Sequence, residues 1–170
     1  AMGTLIGFVN GFIISKFKIG YFITTLGMTS ICRGAVYIAT NGIPVSGVPA
    51  AFNVFGMGRV FGFPVSTLIW LGCALILGVL IRYTRAGQYL YAIGGNEKAA
   101  WLSGVNVDKI RILAFSLNGF FCAVAGFVLT CRVLMATADG ADGYEMTAIA
   151  SCVVGGMSLS GGKGNVLNAV

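Results

Sequence analysis

Four long apolar runs, at residues 1–14, 21–40, 65–81 and 112–134, limit this chain more than any motif in it. Each approaches or reaches the roughly 20 residues that an α-helix needs to cross a bilayer core. Hydrocarbon offers no partner to a backbone amide, so a spanning segment is either a helix or a strand of a closed barrel. The runs are continuous and do not alternate, which selects helices. Charged residues make up 9% of the chain and the mean hydropathy is +0.90, against about a quarter charged in a soluble domain. The expected fold class is all-α: a polytopic transmembrane helix bundle. A fifth apolar run, about 144–154, is too short to cross, and predicts a re-entrant or half-spanning segment.

The first run starts without a flanking polar loop, and "GNVLNAV" at 164–170 reads as the opening of a further apolar helix, so part of a longer chain is expected. A signal peptide at 1–14 is disfavoured, because no basic segment precedes the run and it holds Asn10 and repeated glycine.

The net charge of +6 raises nucleic acid as a partner. The bases, however, gather in particular loops between the runs, and that pattern belongs to membrane topology. Lys16 and Lys18 lie in loop 15–20, and Arg82, Arg85, Lys98, Lys109 and Arg111 in loop 82–111. Loop 41–64 holds Arg59 alone, and "ATADGADGYE" after the fourth run has three acids and no base. With four spans the two basic loops fall on one side, which the positive-inside bias makes cytoplasmic. The expectation is a multi-pass protein of the cytoplasmic (inner) membrane, with the lipid bilayer as its surroundings and no nucleic acid.

Chemistry-bearing clusters are scarce. The five cysteines, Cys32, Cys73, Cys122, Cys131 and Cys152, lie in apolar runs with no CxxC spacing, and the chain has no histidine. Metal and disulfide readings are therefore weak, and buried thiols act as small hydrophobes. No catalytic residues, no metal site and no cofactor of the chain's own are expected. "GGMSLSGGKGN" resembles a phosphate loop only superficially: Met157 stands where glycine is required, and Gly164 replaces the Ser or Thr that would hold magnesium. "GMGRVFG" at 56–62 likewise fails the dinucleotide spacing. An ion-driven secondary transporter would want carboxylates inside its spans, and apart from the edge position of Glu145 there are none.

Between helices in lipid, close backbone approach supplies the adhesion that the hydrophobic effect cannot. Gly3, Gly7 and Gly11 form a stripe at four-residue spacing, and Gly119, Ala123 and Gly126 form a looser one in the fourth run; both predict packing faces. Arg33 lies well inside the second run, where an uncompensated guanidinium costs roughly 2.5–3.5 kcal/mol on insertion scales. Either its stem snorkels outward, or it makes a buried ion pair with Glu145 or Asp142. The polar side chains able to touch a passing solute are Asn10, Thr24, Thr25, Asn118 and Thr147, unless they bond helix to helix. The short fifth run with Gly155 and Gly156 at its turn either lines and gates a path or lies on the outer surface.

"GGNEKAAWLSGVNVDKIRI", residues 94–112, breaks the oily pattern. Asn96 is a good N-cap, Glu97 sits where the helix dipole favours an anion, and Gly104 can take the left-handed conformation that stops a helix. The predicted helix is Glu97 to Ser103, far too short to stand alone. Ala99 and Ala100 leave its backbone approachable, while Trp101 and Leu102 offer apolar area that a solvated loop has no reason to show. The shape is a docking knob.

"EKAAWLSGVNVDKIRI" resembles the cytoplasmic EAA-type loop of importer permeases in the ATP-binding-cassette class, whose short coupling helix inserts into a cleft on the ATPase subunit. The resemblance widens with "GFVNGFIISKFKIGYFITTLGMTSICRGAVYIATNG", "TRAGQYLYAIGGNEKAAWLSGVNVDKIRI" and "GYEMTAIASCVVGGMSLSGGKGN", which are similar in order and spacing to the ribose-, xylose- and galactose-type sugar permeases. Gly20 and Tyr21 depart from the family, whose members commonly carry prolines there. The resemblance implies one permease domain, partial over 1–170, with loop 82–111 as its coupling loop. It implies import of a monosaccharide such as ribose, a separate ABC ATPase subunit that binds ATP and Mg, a periplasmic or extracellular sugar-binding protein, and a second permease subunit in a homo- or heterodimer. Asn96, Glu97, Ala99, Ala100, Trp101, Leu102 and Gly104 would then form the coupling helix. Glu97 would start it and meet a basic ATPase residue, Ala99, Ala100 and Gly104 would permit contact, and Trp101 and Leu102 would fill pockets. A permease of the same class for amino acids or nucleosides fits the same helix.

Overall fold

The computed structural model describes every residue except 48, 61, 159, 160, 163, 165 and 167–170. Its architecture is helical, in the order α1 (Met2–Phe17), α2 (Tyr21–Thr40), α3 (Asn53–Met57), α4 (Val65–Tyr83), α5 (Arg85–Gly95), α6 (Glu97–Leu102), α7 (Val107–Val133) and α8 (Tyr144–Val154). Among the described residues three helices, α2, α4 and α7, are long and apolar enough to cross a membrane. The first run also forms an apolar helix, the 16 residues Met2–Phe17, starting at the second residue of the sequence.

α1 lies antiparallel along α7, and the predicted glycine stripe explains why. A Cβ on Gly3 would strike the Gly119 carbonyl and Ala123 Cβ, one on Gly7 the Phe115 carbonyl, and one on Gly11 the backbone of Ile112. Glycine is required here for approach, since any side chain would pry the backbones apart. On α7 the matching face is Ile112, Phe115, Gly119 and Ala123, while Gly126 meets nothing within 4 Å among the described residues. Fourteen residues from Ile112 are nearly four whole turns, so Gly126 keeps roughly the same angular position and lies further along the axis, beyond Ala123, which faces Gly3.

The two ends of the bundle differ. At one end α7 starts beside the end of α1 and the start of α2, where Tyr21 stacks on Phe115 with centroids 6.2 Å apart. α4 ends there too, and Thr84 turns the chain sharply: its hydroxyl donates to the Leu80 carbonyl and accepts from the Gly87 amide. α5 and α6 follow and pack on each other and on α7. This end carries Lys16, Lys18, Arg82, Arg85, Lys98, Lys109 and Arg111, so the two basic loops meet as topology requires. α5 and the first turn of α7 lie outside the apolar runs and the predicted Glu97–Ser103 helix, because both helices run beyond the apolar core.

The opposite end is tied by small pieces of sheet. β1 (Val45–Ser46) pairs antiparallel with β4 (Met135–Ala136), Val45 opposite Ala136, and β2 (Arg59–Val60) pairs with β3 (Phe63–Pro64). α3 docks on α7, with Gly56 against the backbone of Cys131 and Arg132 and with Phe52 and Phe55 on Phe127 at 6.2 and 5.9 Å. α2 and α4 have no buried residue. Such continuous exposure of apolar side chains belongs in lipid or against further helices, not in water.

α8 starts at this opposite end and is 11 residues long, about half the thickness of the hydrocarbon at 1.5 Å per residue. Beyond it Gly161 and Gly162 rest on Gly94 and Gly95 at the end of α5, and the Tyr91 hydroxyl donates to the Gly164 carbonyl at 2.6 Å. The described residues that follow α8 thus lie at the basic end, which is the half-spanning geometry of the two foreseen. The helix foreseen in "GNVLNAV" falls largely outside the described residues.

Candidate functional site

The geometry around α6 is built by three local devices. Asn96 takes an extended backbone and its Oδ1 accepts from the Ala99 amide at 3.0 Å, capping α6. At the other end the Gly104 amide donates to Trp101 and the Val105 amide to Ala100, with Gly104 at φ +82°. This is the Schellman stop, which a side chain at that φ would strain. The helix ends at Leu102, and Ser103 is its cap. A second asparagine, Asn106, then caps α7 by accepting from the Lys109 amide at 3.1 Å. Two capped starts ten residues apart, both readable as Asn followed by an acid within two positions, fold the loop into a rigid helix–turn–helix.

α6 presents two faces. Trp101 is 67% exposed and Leu102 77%, as a docking knob needs. Ala100 faces the other way and is buried, with Val107, against the rest of the chain. Its expected contact with a partner is corrected: its small side chain seats α6 on its own chain, and of the two alanines Ala99 is the exposed one. Between α5 and α6 runs a groove lined by Gln88, Tyr89, Ala92, Asn96, Ala99 and Gly104. Glu97 does start the helix, but its carboxylate is already engaged by Arg111, whose Nη2 donates to it at 2.8 Å. Arg111 is the residue that sequence reasoning passed over, counted there as one base of a cytoplasmic loop.

A second feature is a cavity of about 550 Å³ between α1, α2 and α7. Asn10, Thr25, Asn118, Arg33 and Glu145 line it; Thr24, Thr147, Gly155 and Gly156 do not. Asn10 Oδ1 is buried without a hydrogen-bond partner among the described residues. Thr25 directs its hydroxyl proton to the Tyr21 carbonyl at 3.0 Å, and Thr24 and Thr147 direct theirs to Gly20 and Gly143. Gly155 and Gly156 end α8, with Gly156 at φ +89°.

The mouth of this cavity corrects the buried Arg33–Glu145 pair. Arg33 Nη2 bonds Asp142 Oδ1 at 2.7 Å, and the two side chains are 33% and 60% exposed. The partner is Asp142 and the pair is only partly covered. One turn further along α2, the Tyr37 hydroxyl donates to Asp139. The loop after β4 thus closes over α2 through two acids, while Glu145, already inside α8, faces the cavity.

The profile of the family described as "branched-chain amino acid transport system / permease component" matches residues 1–170. The chain belongs to this permease family. The permease is 41% identical over 176 residues to the ribose import permease protein RbsC of Escherichia coli K12, covering 100% of this chain and 54% of that one. It is 41% identical over 158 residues to the L-arabinose transport system permease protein AraH of the same organism, covering 93% and 48%. With the autoinducer 2 import system permease protein LsrC of Yersinia pseudotuberculosis the identity is 36% over 171 residues, covering 99% and 48%. The chain spans about half the length of the curated relatives it matches. No solved structure matches it. The permease is a multi-pass membrane protein, as its three apolar helices require.

Proposed function

We propose that the full-length protein is the transmembrane subunit of an ATP-driven, binding-protein-dependent importer of a monosaccharide such as ribose. Its partners are an ABC ATPase subunit, which binds the ATP and Mg, a second permease subunit and an extracytoplasmic sugar-binding protein. The observation that carries this is α6: a doubly capped peg that seats Ala100 inward and holds Trp101 and Leu102 out toward the basic side. The similarity to ribose and arabinose permeases supports the substrate class.

A sugar does not cross hydrocarbon unaided, because each hydroxyl stripped of a partner costs a few kcal/mol. The cavity beside α7 answers this with polar side chains of both signs and an orphan acceptor on Asn10. Closure of two ATPase subunits pushes α6, and the helices joined to it, α4 through α5 and α7 directly, tilt as rigid bodies. The path then opens alternately to either side.

The test is reconstitution of the full-length permease with its ATPase subunit and binding protein. ATP-dependent ribose uptake is expected, and Gly104→Val should lower transport-coupled ATP hydrolysis while insertion stays intact. Uptake of a branched-chain amino acid in place of a pentose would move the substrate to the amino-acid class. Uptake that follows an ion gradient without the ATPase would refute the mechanism.

A further inference from the structure

Arg111 lies one turn inside α7, and its side chain is 12% exposed. It holds groups from three parts of the chain at once. Nη2 donates to Glu97 Oε1 at 2.8 Å, Nη1 stands 3.5 Å from Asp108 Oδ1, and the guanidinium carbon is 5.4 Å from the centroid of the Tyr21 ring. Glu97 is the first residue of α6 and Tyr21 the first of α2. A guanidinium can do this because its edges donate to carboxylates while its face lies on a ring, a combination closed to the point charge of lysine. The Tyr21 ring in turn stacks on Phe115 at 17°, and the Phe115 backbone lies under Gly7 of α1.

Covalent connection joins α6 to α4, α5 and α7, but leaves α2 out. We propose that Arg111 is a positioning residue that passes displacement of α6 to α2 through Glu97 and Tyr21, which makes α2 a further output of the peg. This rests on the reading of α6 as the coupling helix. α2 is a continuous helix, so movement at Tyr21 reaches Arg33, twelve residues and about 18 Å away. Arg33 and Tyr37 are the side chains that hold Asp142 and Asp139 at the mouth of the cavity. The peg at one end and the acidic mouth at the other are thereby two ends of one rod.

The experiment uses the full-length permease with its ATPase subunit and binding protein in proteoliposomes, reading ribose carried and ATP hydrolysed. Arg111→Gln and Tyr21→Leu should each lower ribose carried per ATP at least fivefold. Tyr21→Phe, which keeps the ring and loses only the hydroxyl, should lose less than Tyr21→Leu, and Arg111→Lys should fall between the wild type and Arg111→Gln. Because both act through one link, the double variant should be no worse than either single. Losses that multiply, or single variants that stay within twofold of the wild type, overturn the proposal. A second readout does not depend on the substrate: spin labels on Ile38→Cys and Ala141→Cys report the mouth while ATP drives the assembled complex. An ATP-dependent distance change that vanishes in Arg111→Gln, or in Tyr21→Leu should the first fail to insert, upholds the relay even in a permease that carries no ribose; an undiminished change refutes it.

Discussion

Arg33 and Asp142 are 109 residues apart in the chain and 2.7 Å apart in space. With Tyr37 and Asp139 they clip the loop after β4 onto the far half of α2, directly over the polar cavity. Glu145, three residues further on, is inside α8 and faces the cavity without bonding Arg33.

The two acids should accordingly behave differently. Asp142→Asn lowers the melting temperature of the full-length permease in detergent, slightly, because the pair is partly exposed and screened. Glu145→Gln leaves it unchanged. A larger loss for Glu145→Gln than for Asp142→Asn, measured by thermal denaturation, would reverse the assignment.

Glycines that look alike in sequence should separate sharply. Gly7→Leu forces a side chain into the Phe115 backbone and should destabilise by about 1–3 kcal/mol or more, since backbone yields less than side chains do. Gly27→Leu points into open space and should be silent. The yield of monodisperse full-length protein after extraction, compared between the two variants, checks this.

The cap on α6 is one hydrogen bond and should be worth about 1 kcal/mol. Asn96→Ala frays the helix, seen as faster amide hydrogen exchange at residues 97–102, while Asn96→Asp keeps it closed. Equal exchange in both variants would show that packing of Ala100, and not the cap, holds the helix.

The two faces of α6 can be read with thiols. In the intact protein a cysteine at Trp101 should react with an impermeant maleimide in inside-out vesicles and not in whole cells, and one at Ala100 should resist from both sides. Labelling of position 101 in whole cells would invert the topology.

Much of the segment around α6 was legible because its signals are local. Asn96, Glu97 and Gly104 act within four residues of themselves, so cap, dipole and stop could be read off as text, and the helix was placed to within one residue at its end. The glycine stripe on α1 was legible for the same reason, since four-residue spacing alone puts three glycines on one face. The sidedness of Ala99 and Ala100 was not: neighbouring residues differ by about 100° around a helix, and which one meets α5 and α7 depends on how the whole loop folds back. α3 and its aromatic contact with Phe127 left no trace for a similar reason, as nothing in "AAFNVFGMG" announces a partner some seventy residues downstream.

Lipid offers the backbone nothing to bond with, and that alone made composition and run length sufficient to dictate helices, their approximate ends and the side on which the bases gather. Pairing across the chain obeys a different physics. Arg33 had two acids within reach, and Arg111 had Glu97, Asp108 and the Tyr21 ring. Electrostatic attraction permits all of these contacts. The choice among them came from helix register and crossing, which bring one acid to 2.7 Å of Arg33 and gather three groups on Arg111.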